Sequence, residues 1–329
     1  MDRQLLFWLS FVVLFLGVTA IDLFATTHRH GPAGLRTALF WTSIWVSLAL
    51  LYGLAIYLWD PRGAEFAPLF VAGYLTEYSL SVDNLFVFIM IFSLMGVEER
   101  HQPKLIKLGI LLSIVLRVGF ILFGIALIAK FHWLIYAFGA LLIWTALKML
   151  LAQEGDHVDP TNNFLHRIAS RWLPMDPDPD THRLITRKEG RFRITPLFLV
   201  FLVIGSTDVL FAIDSIPAIM GISEEPFVVI TSNVFAVLGL VSLFFAIRGV
   251  MGLFRFLKHG VSLVLFFIGA KMLAGIHQPV DAWFKAHTWV SLAVIGAILA
   301  FSVVLSVVIA GEVRHEAEWA RPDDRPDPR

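Results

Sequence analysis

Residues 74–88 read YLTEYSLSVDNLFVF, an apolar run interrupted by Thr76, Glu77, Asp83 and Asn84. Residues 205–219 read GSTDVLFAIDSIPAI and carry Thr207, Asp208, Asp214 and Ser215 in the same pattern. In each run a threonine and an acid are followed, after five residues, by a second acid and a small polar side chain, at a constant offset of 131. Carboxylate, amide and hydroxyl oxygens are hard donors, a set that suits Mg²⁺, Ca²⁺ or Mn²⁺. Zinc favours histidine and cysteine, but the chain has no cysteine, and His132, His259, His277 and His287 lie near the ends of apolar segments. Met90 and Met220 follow the second acids by seven and six residues. A thioether there would favour manganese over calcium, although methionine in a helix bundle is usually a gap-filler.

An ionised carboxylate at the centre of a membrane helix costs about 3 kcal/mol on the gentlest scale, so four facing lipid would cost roughly 12 kcal/mol. Glu77, Asp83, Asp208 and Asp214 must therefore face one another, water, a cation or a proton. Arg117, Lys148 and Lys271 are the bases inside the apolar segments. Three bases cannot neutralise four acids, so internal salt bridging accounts for only part of the set. Arg117 and Lys148 are expected to pair with these carboxylates or to reach for the surface. On a helix, positions seven apart share a face, which aligns Glu77 with Asn84 and Thr76 with Asp83. The two acids of one run lie about 120° apart on an ideal helix. They reach one ligand only if the helix breaks there, or if each helix meets the other's acids across an interface. Pro217 predicts such a break, because its ring clashes with the Ile213 carbonyl and would free an oxygen beside Asp214.

The surrounding composition says what must position these residues. The chain is 57% apolar and 16% charged, against about 45–50% and about 25% in soluble domains, which places it among polytopic membrane proteins. Its 26 basic and 26 acidic residues cancel, so net charge gives nucleic acid nothing to hold. Nine segments are apolar enough to read as spans: 5–21, 38–59, 68–94, 105–129, 133–151, 196–220, 226–245, 259–274 and 289–310. The VTA at 18–20 resembles a signal-peptidase site, but Asp2 beside Arg3 is not the positive start that a signal peptide needs. With nine spans, the N-terminal side carries four Lys and Arg residues and the opposite side nineteen. The positive side is the cytoplasmic one, so the N-terminus is expected outside and the C-terminus inside, in a bacterial-type plasma membrane.

The expected architecture is an all-α transmembrane bundle. Residues 1–67 hold two spans, 68–151 a first three-span unit, 152–195 a polar cytoplasmic loop, 196–275 a second unit, and 276–329 a last span with a tail. Weaker matches, MGVEE at 95–99 with MGISEE at 220–225 and LKML at 147–150 with AKML at 270–273, extend the repeat. The two units begin on opposite sides, and such an inverted repeat places a transporter's site at the repeat interface. In the loop, Asp176, Asp178 and Asp180 have the spacing of a calcium-binding loop. Thr181 and Arg187 stand where that motif needs Gly and Glu, so the segment reads as a solvated linker.

In chain order, EYSLSVDNLFVF, TDVLFAIDSIPAI, PFVVITSNVFAVLGL and FIGAKML resemble the TerC family of integral membrane proteins, over residues 68–275. That family takes its name from tellurium resistance and includes manganese exporters. The resemblance implies that Glu77, Asp83, Asn84, Asp208, Asp214 and Ser215 lie on an ion pathway, and it draws in Asn233 of the TSN stretch. Gly205 stands where many relatives carry Glu, and Val241 where many carry Arg, which removes one charge pair if the two are partners. The function this implies is export of a divalent cation, manganese foremost, in exchange for protons. The metal is then a transported substrate and no permanent cofactor is needed; the partners are that ion and the bilayer. The alternative is a scaffold or tellurite- and metal-stress partner that transports nothing. An enzyme is not expected. Asp83 and Asp214 could share a proton as an intramembrane protease pair does, but presenilin-like enzymes use GxGD where this chain has GSTD and AIDS.

Overall fold

The computed structural model describes residues 3–27, 34–151, 174, 176, 183–188, 191–249 and 257–319. The helices are α1 (Arg3–Thr27), α2 (Leu35–Trp59), α3 (Gly63–Leu94), α4 (Gln102–Lys130), α5 (Leu134–Leu151), α6 (Pro196–Ile222), α7 (Pro226–Leu238), α8 (Leu240–Gly249), α9 (Leu257–Ala274), α10 (Gln278–Ala286) and α11 (Thr288–Trp319). Several begin at a proline, whose missing N–H costs nothing in a first turn; in α6 the Thr195 side chain also caps Phe198 N at 3.3 Å.

Among the described residues, five helices are long and apolar enough to cross a membrane: α2, α3, α4, α5 and the 289–306 part of α11. The α7–α8 pair makes a sixth if its 43° bend at Gly239 is taken within one span. The expectation of nine spans is therefore met only in part. Leu5–Gly17, Pro196–Val209 and His259–Ala274 are further apolar stretches, of 10–17 described residues, within α1, α6 and α9. Exposed apolar side chains such as Leu51, Phe123, Trp144 and Phe301 cover the outer faces of the long helices, as a lipid-facing surface requires.

The fold is not purely helical. Strands β1 (Ile185–Lys188) and β2 (Arg191–Ile194) pair antiparallel, with Ile185 opposite Ile194. The solvated linker expected over 152–195 thus contains a hairpin. Asp176 is buried against it, its backbone N–H donating to Ile194 O at 2.8 Å and its Oδ2 accepting from Thr186 Oγ1 at 2.7 Å. Alternating residues on either side of a glycine were the available signal.

Three helix pairings set the interior: α3 on α7, α4 on α6 and α5 on α9, with α3 also against α6. Ion pairs mark both ends of the first. Arg62, just before α3, bonds Glu225, just before α7, at 2.9 Å; at the other end, Glu99, after α3, bonds Arg248 in the last turn of α8. Start is tied to start and end to end, so α3 and α7–α8 run in the same direction. Close contact rests on small residues, as membrane helix packing requires. A Cβ on Gly73 would lie 2.8 Å from Ser232 Oγ of α7. At the α5–α9 crossing, a Cβ on Gly139 would meet Gly269 O at 3.0 Å, and one on Gly269 would meet Gly139 O at 2.7 Å. Next to α3 and α7, Phe11, Tyr52, Phe70 and Phe235 form one aromatic cluster, with Tyr52 and Phe235 centroids 4.8 Å apart.

Candidate functional site: a buried arginine between two carboxylates

Arg117 sits in the middle of α4, is 1% exposed, and ranks among the largest fully buried side chains. A guanidinium has five donors and is always charged, so this position demands anions and oxygen acceptors. Three helices supply them, and a fourth braces one of the acceptors. On α4 itself, one turn back, Ser113 Oγ accepts from Nε at 3.1 Å. From α3, Glu77 Oε1 accepts from Nη1 in a short contact. From α6, Asp208 Oδ1 accepts from Nη2 at 3.4 Å and Ser215 Oγ from Nη1 at 3.4 Å. The fourth helix, α7, joins through Glu77, whose Oε2 accepts from Asn233 Nδ2 at 2.9 Å. Ser81, one turn beyond Glu77, donates to Oε1 at 3.2 Å.

The close approach at Gly73 explains how α7 reaches Glu77. Gly73 lies one turn before Glu77, and Ser232, the residue it admits, is next to Asn233. Without a Cβ in the way, the α7 backbone comes near enough for a short amide side chain to bridge. Burying a charge pair is tolerated only where the remaining donors and acceptors are also satisfied, and Glu77 meets that condition fully. Asp208 does not. Its Oδ2 is buried and has no hydrogen-bond partner among the described residues.

Two expectations about local geometry separate here. The helix does not break at Pro217: α6 is helical from Pro196 to Ile222. A proline inside a helix removes one N–H donor, and α6 continues for five residues past it. The other arrangement is observed, in which acids of the two motifs meet across an interface: Glu77 of α3 and Asp208 of α6 share Arg117. Asp83 and Asp214 lie within α3 and α6, but their side chains fall outside the described ones. Among the described residues, no group of three or more His, Cys, Asp or Glu is placed to hold a metal.

The remaining candidates divide. Thr76 and Asn84 are buried on α3, and Thr76 Oγ1 has no partner among the described residues. Thr207 is instead satisfied by its own helix, donating to Val203 O at 2.7 Å. Met220 is buried, with its Cε filling the notch above Gly124, and it lines a cavity of about 380 Å³ at the end of α6 whose rim includes Glu65, Glu224, Glu225 and Asp281. Met90 is half-buried on α3. Lys148 is exposed, 5.6 Å from the Trp144 ring, and Lys271 donates to Gly221 O at 3.1 Å. Gly205, the departure beside Asp208, is where α4 packs in: a Cβ there would lie 2.7 Å from Leu112 Cδ2. Val241, the other departure, packs partly buried against the apolar core.

Sequence reasoning passed over Ser81 and Ser113. Each lies four residues from its partner on the same helix, the spacing at which side chains meet. A search for hydroxyls one turn from each intramembrane charge would have found both.

Comparison with known proteins agrees with a membrane protein of several apolar helices. A family profile described as "Integral membrane protein TerC family" matches residues 62–314. An "Uncharacterized membrane protein STKORF319" of Myxococcus xanthus is 40% identical over 301 residues, covering 92% of each chain. A protein of Escherichia coli K12 named "Putative membrane-bound redox modulator Alx" is 38% identical over 322 residues, 95% of this chain and 97% of its own. The "Thylakoid membrane protein TERC, chloroplastic" of Arabidopsis thaliana is 37% identical over 272 residues, 83% of this chain and 69% of its own. No solved structure matches significantly. A profile match over most of the chain, with relatives matched nearly end to end, identifies this protein as a member of the TerC family of integral membrane proteins.

Proposed function

We propose that this protein moves a divalent cation, Mn²⁺ foremost, across the membrane, with the repeated acidic motifs forming the path. The observation that carries the reading is the buried Glu77–Arg117–Asp208 cluster, in which one carboxylate oxygen has no partner among the described residues. Buried charge inside membrane helices is expensive and is typically retained for ion or proton pathways. The hard oxygen donors present match a hard divalent ion. The expected inverted repeat is supported by the reciprocal pairing of α3 with α7 and α4 with α6, and by the parallel run of α3 and α7–α8. Asp83 and Asp214 complete the path in this reading, export is its direction, and protons are the exchanged ion. The plasma membrane, with the N-terminus outside, is its place.

Efflux of radiolabelled Mn²⁺ from preloaded cells, at matched membrane levels of protein, tests this. Wild type should clear the ion rapidly and Asp83→Asn or Asp214→Asn should not. Normal efflux in both variants would remove these aspartates from the path, and absence of efflux in wild type would favour a non-transporting stress or scaffold role. The redox activity in the name of several relatives could not use a thiol pair here, because the chain has no cysteine.

A further inference from the structure

The two carboxylates on Arg117 are equivalent by sequence, and we infer that they divide the work: Glu77 is the fixed anion that holds the guanidinium, and Asp208, through its open Oδ2, takes the transported cation. This rests on the transport reading above. Glu77 has both oxygens committed, Oε1 to Arg117 and Ser81 and Oε2 to Asn233. Its three donors come from α4, α3 and α7, so a cation seeking Glu77 would have to displace three side chains on three helices. Among the described residues, Asp208 is held by one contact, at 3.4 Å and on one oxygen.

Arg117 does not depend on that contact. Were Nη2 to leave Asp208, Nε would keep Ser113 and Nη1 would keep Glu77 and Ser215. The guanidinium stays in place while Asp208 exchanges it for another cation. A divalent ion on Oδ2 then sits beside a fixed positive charge, and this repulsion shortens its stay, which a transporter needs and a storage site does not. Thr76 Oγ1, also buried without a partner among the described residues, is a neutral oxygen on the facing helix α3.

The test uses the full chain in liposomes, with Mn²⁺ as the probe, reading uptake rate against Mn²⁺ concentration alongside the thermal unfolding midpoint. Asp208→Asn should raise the KM for Mn²⁺ by at least about tenfold, with a midpoint no lower than wild type. Glu77→Gln should lower the midpoint, because it strips the guanidinium of the anion it is held by most tightly. The paired Glu77→Gln/Arg117→Gln variant should recover that midpoint and lower the maximal rate, while its KM shifts by less than about threefold. An unchanged KM in Asp208→Asn, or a paired variant whose KM rises as far as that of Asp208→Asn, overturns the division of roles while leaving transport intact. Wild-type liposomes that take up no Mn²⁺ would overturn the transport reading and this inference together.

Discussion

Among the described residues, Glu77 on α3 meets donors from three helices, whereas Asp208, its counterpart on α6, meets a single nitrogen at 3.4 Å. The contrast extends to the preceding residues. Thr76 is buried without a partner among the described residues, while Thr207 folds its hydroxyl back onto Val203 O. The motifs explain part of this, since Ser81, a donor to Glu77, has Ala212 as its counterpart at the offset of 131. The rest comes from the helices that pack on them. Helix α4 brings a cation, Arg117, and α7 brings an amide, Asn233. Among the described residues, Glu77 bonds both and Asp208 bonds the cation alone. A duplicated pair of acids has thereby acquired one closed half and one open half.

The most severe way to break this comparison is to remove the shared cation. Arg117→Gln leaves Glu77 and Asp208 buried without a countercharge, and losing one partner of such a group costs about 3–5 kcal/mol. A sharp fall in the detergent-solubilised unfolding midpoint is expected, and a midpoint at wild-type level would mean that the cluster is hydrated. Opening the closed half alone is milder. Asn233→Leu removes the donor to Glu77 Oε2, and a hydrogen bond to a charged group contributes about 1.5–3 kcal/mol. Chemical unfolding should show that loss, and its absence would mean that water replaces the amide.

Separating the helices acts less directly. Gly73→Ala places a methyl 2.8 Å from Ser232 Oγ, and overpacking of this kind costs about 1–3 kcal/mol. Gly73→Ala should cost about as much in the Asn233→Leu background as in wild type if the two act separately, and less in that background if the glycine matters chiefly through Asn233. A double-mutant cycle decides between these. The smallest effects sharpen the contrast between the threonines. Thr207→Val loses only a bond to its own helix and should change stability by no more than about 0.5 kcal/mol. Thr76→Val removes a buried hydroxyl without a partner among the described residues, so its stability should equal or exceed that of wild type while Mn²⁺ uptake falls. Unchanged uptake would take Thr76 off the path.

Much of the site was legible along the chain. A carboxylate inside a run such as YLTEYSLSVDNLFVF stands out because lipid offers it nothing, and the offset of 131 tied the two runs together. Arg117 could be paired with these acids by the same reasoning, since it is the central base in an otherwise apolar segment. The span count was less secure. Gly239 lies within one apolar stretch in the sequence, yet packs against Trp45 at a 43° bend that divides α7 from α8. The strand pair at 185–188 and 191–194 was missed because its alternation is confined to four residues a side, most of them polar.

The sequence by itself determined that helices would form, that they would seek the bilayer, and that their acids would need partners. Those consequences are local: they follow from composition and from the 3.6-residue period, and each can be read within one segment. Which partners the acids received was decided only by tertiary packing. Arg117 lies 40 residues from Glu77 and 91 from Asp208, and Asn233 lies 156 from Glu77. Such separations are bridged where glycines let helix axes approach, and a small residue's neighbour across an interface is not encoded in its own segment. Two motifs alike in the placing of their acids could therefore become unlike in their bonding, because hydrogen bonds are short and directional and, among the described residues, Glu77 alone lies under both incoming side chains.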